Sequence, residues 1–146
     1  MSKKISILIT TKNRIADLKV TLSNLAKFIN DTAVECMVYD DGSTDGTATF
    51  IKEYYPNIIF FRNEVSKGYM YNRNYLLNHC SGDYAVSLDD DAHFLSENVV
   101  ENIERYFESQ PQCGVIACRI FWGKNDPTSI VTKEASQRMK GFVGCG

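Results

Sequence analysis

Two aspartate clusters, each directly after an apolar run, hold the residues best suited to chemistry. They are Val38-Tyr39-Asp40-Asp41-Gly42-Ser43-Thr44-Asp45-Gly46-Thr47 and Val86-Ser87-Leu88-Asp89-Asp90-Asp91. Carboxylates at the exits of strands are unfavourable unless a cation or a set of hydrogen-bond donors meets them. Adjacent aspartates with charges about 6 Å apart repel by about 3 kcal/mol per pair at an effective dielectric of roughly 20. The second cluster therefore calls for a bound cation, and a divalent metal carrying a phosphorylated ligand is the visitor that fits.

Asp89 and Asp91 are two residues apart, so along an extended exit both side chains project to the same side. That arrangement suits Mg²⁺ or Mn²⁺, which takes one or two protein carboxylates and completes its shell with phosphate and water. The competing reading is a solvated acidic turn. His93 lies within reach of a metal or sugar, although a lone histidine there is more often a loop side chain, and His79, at a helix end, is structural.

In the first cluster Asp41, Ser43, Asp45 and Gly46 occupy four positions of a calcium loop, but the closing position is Lys52 and a strand precedes the loop where a helix is needed. A phosphatase of the D-x-D-G-T kind fails because Ser43 stands where its nucleophilic aspartate belongs. Ser43, Thr44 and Asp45 read best as a polar turn capping a helix. Asp41 differs: a carboxylate at a strand exit can accept a charge-assisted hydrogen bond from the ring N–H of uracil, thymine or guanine, whereas cytosine has no such donor.

The chain has 146 residues, 44% hydrophobic and 23% charged, the size and composition of one soluble globular domain spanning 1–146. A net charge of −2 without a basic run argues against nucleic-acid polymers as partners. The N-terminal apolar run, residues 5–9 interrupted by Ser6, is too short for an export signal or a membrane span, so we expect a cytoplasmic protein without membrane contact. Cys36, Cys80, Cys113, Cys118 and Cys145 form an odd set without a C-x-x-C pair and read as reduced, mostly buried thiols.

These residues must be positioned by alternating strands and helices. Strands are expected at residues 5–9, 34–39, 58–61, 84–88 and 115–121. Ile15, Leu18, Leu22, Leu25 and Ile29 fall at the spacing of one amphipathic helix. Further helices are expected after the Gly-Ser-Thr-Asp-Gly stretch, over 69–80, and over Val99, Val100, Ile103 and Phe107 with Ser96 as cap. Tyr54, Tyr55, Phe60 and Phe61 read as core. The order implies an α/β, Rossmann-like, mainly parallel sheet with helices on both faces, and ligands of such sheets bind outside the carboxyl ends of the strands. Thr10, Asp41 and the Asp89, Asp90, Asp91 run all lie there. Gly68 allows close backbone approach to a ligand, and Arg73 is a candidate for a phosphate contact.

Residues 7–14 (ILITTKNR), VYDDGSTDGT, Arg73-Asn74, Gly82-Asp83-Tyr84 and LDDD together resemble family 2 of the inverting glycosyltransferases, with the GT-A fold, over nearly the whole chain. The resemblance implies transfer of a sugar from a nucleoside diphosphate sugar, a UDP-sugar being favoured, to an acceptor hydroxyl of a saccharide or lipid-linked saccharide. The nucleotide-sugar set it implies is Thr10, Asn13, Asp41, Gly68, Arg73, Asp89 and Asp90, with Thr10 and Asp41 at the base and Asp89 and Asp90 against ribose and diphosphate. Which of those last two meets the ribose stays open. Asp91, with Asp89, would ligate Mn²⁺ or Mg²⁺, a Lewis acid for the departing diphosphate in a single in-line displacement.

In the resembling family the general base is an acidic residue downstream of a glycine-containing segment similar to residues 141–146. Asp126 and Glu134 do not match its context, so no base is assigned. We therefore expect the N-terminal, donor-binding part of a longer transferase, truncated before its acceptor-binding half and with little turnover alone. Two alternatives remain. A sugar-phosphate nucleotidyltransferase would carry a glycine-rich, arginine-containing loop where this chain has Thr10-Thr11-Lys12-Asn13, and a non-catalytic nucleotide-sugar-binding module would have the short form as its natural one.

Overall fold

The structure, a computed structural model, describes residues 4–118 and 120–121. Four strands, β1 (Ile5–Thr11), β2 (Val34–Asp40), β3 (Ile59–Arg62) and β4 (Tyr84–Asp89), form one sheet in the order β3-β2-β1-β4, all neighbours parallel. The helices are α1 (Ile15–Asn24), α2 (Ala26–Ile29), α3 (Thr47–Tyr54), α4 (Tyr69–His79) and α5 (Val99–Ser109). The α/β, mainly parallel expectation holds.

β1 and β2 are buried along almost their whole length, which is why they read as near-continuous apolar runs rather than an alternation. Successive side chains point to opposite faces. Ile5, Ile7 and Ile9 with Val34, Cys36 and Val38 meet Leu18 and Leu22 of α1, Phe28 and Ile29 of α2, Ile51 of α3 and Val99 of α5. On the other face Leu8, Met37 and Tyr39 meet Leu76 of α4. Burying one such Leu or Ile contributes about 2 kcal/mol, so this double-sided core, not intrinsic propensity, stabilises the short helices.

The amino end of the α4 face carries a polar exception. Ser6 and Glu35 are register neighbours. The Glu35 carboxylate accepts from the Ser6 hydroxyl at 2.6 Å and from the Ser81 N–H and hydroxyl at 3.0 and 2.7 Å, while the Gly82 N–H donates to Ser6 Oγ at 2.9 Å. The turn from α4 into β4 is thereby tied to the two central strands.

Three expectations are corrected. The single helix over Ile15 to Ile29 is two, joined at Leu25 (φ −89°, ψ 0°), although no glycine or proline marks the joint. Ser96 does not cap α5: Asn98 holds that position, and the Ser96 hydroxyl accepts from Asn102 instead. Residues 115–118 and 120–121 form no strand, and Val115 and Ile120 stand exposed. An apolar run becomes a strand only when another strand takes its backbone hydrogen bonds, and among the described residues β4 remains an edge.

Candidate functional site

The register brings the polar exits together. Thr10 lies beside Tyr39 on one side and Asp89 on the other, and Thr11 beside Asp40. Over this carboxyl edge opens a cavity of about 580 Å³, lined by Thr10, Thr11, Asp41, Gly68, Asn72, Arg73, Arg14 and the Asp89, Asp90, Asp91 run. Pockets of several hundred Å³ accommodate nucleotide-sized ligands. A cavity of about 90 Å³ between α2 and the end of α3 is too small for one.

Asp41 is buried at the floor of the site and organises the loop before α4. Its Oδ1 accepts from Asn63 Nδ2 and the Lys67 N–H, each at 2.8 Å, and its Oδ2 accepts from the Ser66 hydroxyl at 2.6 Å and the Gly68 N–H at 3.0 Å. Two donors per oxygen fill the ordinary acceptor capacity of a carboxylate. Burial alone would raise its pKa, but donors from Ser66, the Lys67 backbone and Asn63 outweigh it and hold the group far below the usual carboxylate range. Asn63 is fixed in turn by Tyr39, whose hydroxyl donates to Asn63 Oδ1 at 3.0 Å, and by Asn72 Oδ1 at 2.8 Å. Gly68, at φ +87°, occupies left-handed backbone where a side chain would be strained, though the space beside it is open.

The second cluster differs from the extended exit expected. β4 ends at Asp89, and the Ala92 N–H donates back to the Asp89 carbonyl at 3.2 Å, closing a turn. The side chains consequently go to different partners. Asp89 pairs with Arg73 of α4 at 2.8 Å, and Asp91 with Arg14, just before α1, at 2.9 Å. Asp90 is buried, accepts from the Thr11 hydroxyl at 2.7 Å and pairs with Arg14 at 3.1 Å, and its carbonyl accepts from Thr21 Oγ1 at 2.9 Å. Burial raises the Asp90 pKa, opposed by Thr11 and Arg14. The cation that the sequence demands is thus supplied in this structure by two arginines of the chain itself.

Asn13, expected at the ligand, stands outside the cavity lining. It joins the loops after β1 and β2: its N–H donates to Ser43 Oγ at 2.8 Å and its Oδ1 accepts from the Thr44 N–H at 2.7 Å. Asp45 completes the junction by capping two helices. Its Oδ2 accepts from the N–H of Ile15, first residue of α1, at 2.9 Å, and its Oδ1 from the N–H and hydroxyl of Thr47, first residue of α3, at 3.1 and 2.6 Å. Asp45→Ala should lower stability by about 1–2 kcal/mol, as loss of a helix cap does. Urea unfolding at neutral pH checks this, and an unchanged midpoint would show that water replaces the cap.

His93 is exposed and outside the lining, and His79 bonds to its own helix at the Tyr75 carbonyl. Cys36 alone among the described cysteines is buried, its thiol pushed up to about 12 by desolvation and by Glu35; Cys80, Cys113 and Cys118 are more open, so the mostly buried expectation is corrected. Tyr54 is exposed rather than core. Asp126, Glu134, Cys145 and residues 141–146 lie outside the described residues.

Sequence reasoning missed Arg14, Ser66, Asn63 and Asn72. Only Arg14 carried a signal, as one of two cations, with Lys12, just past the first strand exit. Among the described residues no group of three or more His, Cys, Asp or Glu could hold a metal ion. The donor set nonetheless fits Mg²⁺ or Mn²⁺: Asp91 is half-exposed at the cavity, and these ions need only one or two carboxylates when phosphate supplies further oxygens.

The family model for glycosyl transferase family 2 matches residues 6–142. The chain is 27% identical over 121 residues to an uncharacterized glycosyltransferase, YfnE, of Bacillus subtilis (strain 168), covering 82% of this chain and 30% of that protein. It is 28% identical over 120 residues to an uncharacterized glycosyltransferase of Rickettsia bellii (strain RML369-C), covering 82% and 38%. It therefore spans about a third of the length of these relatives. Among solved structures the fold is similar to that of Staphylococcus aureus TarS 1–349 (TM-score 0.65, 24% identity, 74% of this chain and 33% of that one). It is also similar to the mannosyltransferase PcManGT of Pyrobaculum calidifontis, solved with GDP-Man and Mn²⁺ (TM-score 0.64, 21% identity, 73% and 33%).

Proposed function

The chain belongs to glycosyl transferase family 2, and from that premise we propose that it is the donor-binding part of an enzyme that transfers a sugar from a nucleoside diphosphate sugar to an acceptor hydroxyl with inversion. The observation that carries the reading is the cavity where the exits of β1, β2 and β4 meet, with Asp41 at one part of its lining and Asp89, Asp90 and Asp91 at another. The similar solved structures include TarS with UDP-GlcNAc and PcManGT with GDP-Man and Mn²⁺, which supports the same ligand class here.

In this reading the base lies toward Thr10, Asp41 and Gly68, and the diphosphate toward Arg73 and the acidic turn. Because Asp41 already has four donors, the ring N–H of a bound uracil, thymine or guanine must displace one of them. The Ser66 hydroxyl is the donor that can rotate away at least cost. Asp91, with Asp89, would hold Mn²⁺ or Mg²⁺, which when bound stabilises charge on the leaving diphosphate. No helix among the described residues is long and apolar enough to cross a membrane, and we place the domain in the cytoplasm, where reduced thiols such as Cys80 and Cys113 are stable.

Calorimetric titration with UDP, GDP and dTDP, each with and without Mn²⁺, tests the proposal. We expect metal-enhanced binding of at least one, UDP first. Silence from all three removes the reading. Asp91→Asn should abolish the metal enhancement, and undiminished enhancement would mean that Asp91 is not a ligand.

A further inference from the structure

Arg14 is the most connected cation of the site, and nothing in the donor-binding reading uses it. Its guanidinium reaches Asp17 at 3.0 Å, Asp90 at 3.1 Å and Asp91 at 2.9 Å. These contacts and the charge of Asp90 hold it firmly protonated. Asp17 and Asp91 are half-exposed, as is Arg14 itself, whereas the Asp90 side chain is only 8% exposed. The pairing with Asp90 is thus the anchored one, and that with Asp91 is the screened one, which can be exchanged at little cost. Arg73 cannot exchange so easily, because it is largely buried against Asp89 and lies over the Tyr69 ring.

We propose that Arg14 is the chain's own occupant of the cation position: it neutralises Asp91 while the site is free of donor, and passes from Asp91 to the donor's diphosphate when a divalent metal takes that carboxylate. The inference rests on the donor-binding reading above. Its physical basis is charge balance. Asp17, Asp89, Asp90 and Asp91 face the two guanidiniums, and with Lys12 also lining the cavity one formal negative charge is left, so a dication entering alone must displace Arg14 and leave it beside a like charge. A diphosphate arriving with the metal offers that guanidinium a new partner for its planar fork of donors. Metal and nucleotide therefore bind with positive coupling, and by linkage each raises the affinity of the other by the same factor.

The test follows free Mn²⁺ by electron paramagnetic resonance during titration of the 146-residue chain, with and without UDP, corrected for Mn²⁺–UDP association in solution. The unsubstituted chain should bind Mn²⁺ weakly alone and about tenfold more tightly with UDP, a typical coupling factor. Arg14→Gln should bind Mn²⁺ alone several-fold more tightly than the unsubstituted chain, bind UDP alone more weakly, and lose most of the coupling. Arg14→Lys, which keeps the charge, should fall between, and circular dichroism confirms that each variant is folded. Equal Mn²⁺ affinity with and without UDP in the unsubstituted chain, or coupling unchanged in Arg14→Gln and Arg14→Lys, overturns the role of Arg14 and leaves the donor-binding reading intact. Failure of the unsubstituted chain to bind UDP, GDP or dTDP with Mn²⁺ overturns both.

Discussion

Asp41→Ala is expected to destabilise the chain by about 2–3 kcal/mol, because it leaves the buried Asn63 amide without its acceptor and releases three part-buried donors held by the same charge. Those donors are Asn63 Nδ2, the Ser66 hydroxyl and the N–H groups of Lys67 and Gly68, so the segment leading into α4 loses its anchor at once. Nucleotide affinity should fall with it, since Gly68, Asn72 and Arg73 all line the cavity from that segment and helix. The pH dependence carries a signature. The folded-state pKa of Asp41 is depressed, so its stabilisation is present above the unfolded carboxylate value of about 3.9 and is lost as pH falls toward the folded value. Urea unfolding of both proteins from pH 7 down to pH 3 should therefore give a difference that is steady down to about pH 5 and begins to narrow below about pH 4, with most of the loss still to come in stronger acid. A constant difference across that range would mean that the carboxylate charge is not what holds the loop.

Gly82→Ala should be as damaging, for a steric reason at the other end of the sheet. A Cβ at position 82 would stand 2.7 Å from Ser6 N and Oγ and 2.8 Å from the Ile5 carbonyl carbon. Two of those atoms belong to the backbone of the central strand β1 and cannot move aside without breaking its register with β2 and β4. The cost is about 3 kcal/mol, at the upper end for overpacking, and lowers Tm by about 10 °C in a chain of this size. Nucleotide binding by the folded protein should be unchanged, because Gly82 precedes β4 and the cavity lies past its carboxyl end. A melting temperature within a degree or two of the unsubstituted chain would show that the turn has room to shift. At Gly68 an added Cβ meets nothing, and alanine there costs about 1–3 kcal/mol through the positive φ alone.

Much of the frame was legible in the residue order. The four strands and the helices between them follow from apolar periodicity and turn chemistry, and a parallel sheet built that way must gather its strand exits on one edge. That order alone places Thr10, Asp41 and Asp89 near one another. The failures share a cause. Residues 115–118 and 120–121 have the composition of a strand but, among the described residues, no strand beside them, and the joint at Leu25 has no local marker; both depend on what surrounds the segment. The local pattern of the acidic run points to an extended exit because it cannot show the turn that Ala92 closes onto Asp89.

By itself, then, the sequence determined the layered α/β fold, the family and the edge on which polar groups collect, because these depend on periodicity and short connections. Only the tertiary structure decided which partner each carboxylate takes. Arg14 and Asp91 are 77 residues apart in the chain, Arg73 and Asp89 16, and Asp41 and Ser66 25. Electrostatic pairing acts through space rather than along the chain, so two aspartate clusters that look alike in sequence become one that clamps a loop through neutral donors and one balanced by arginines.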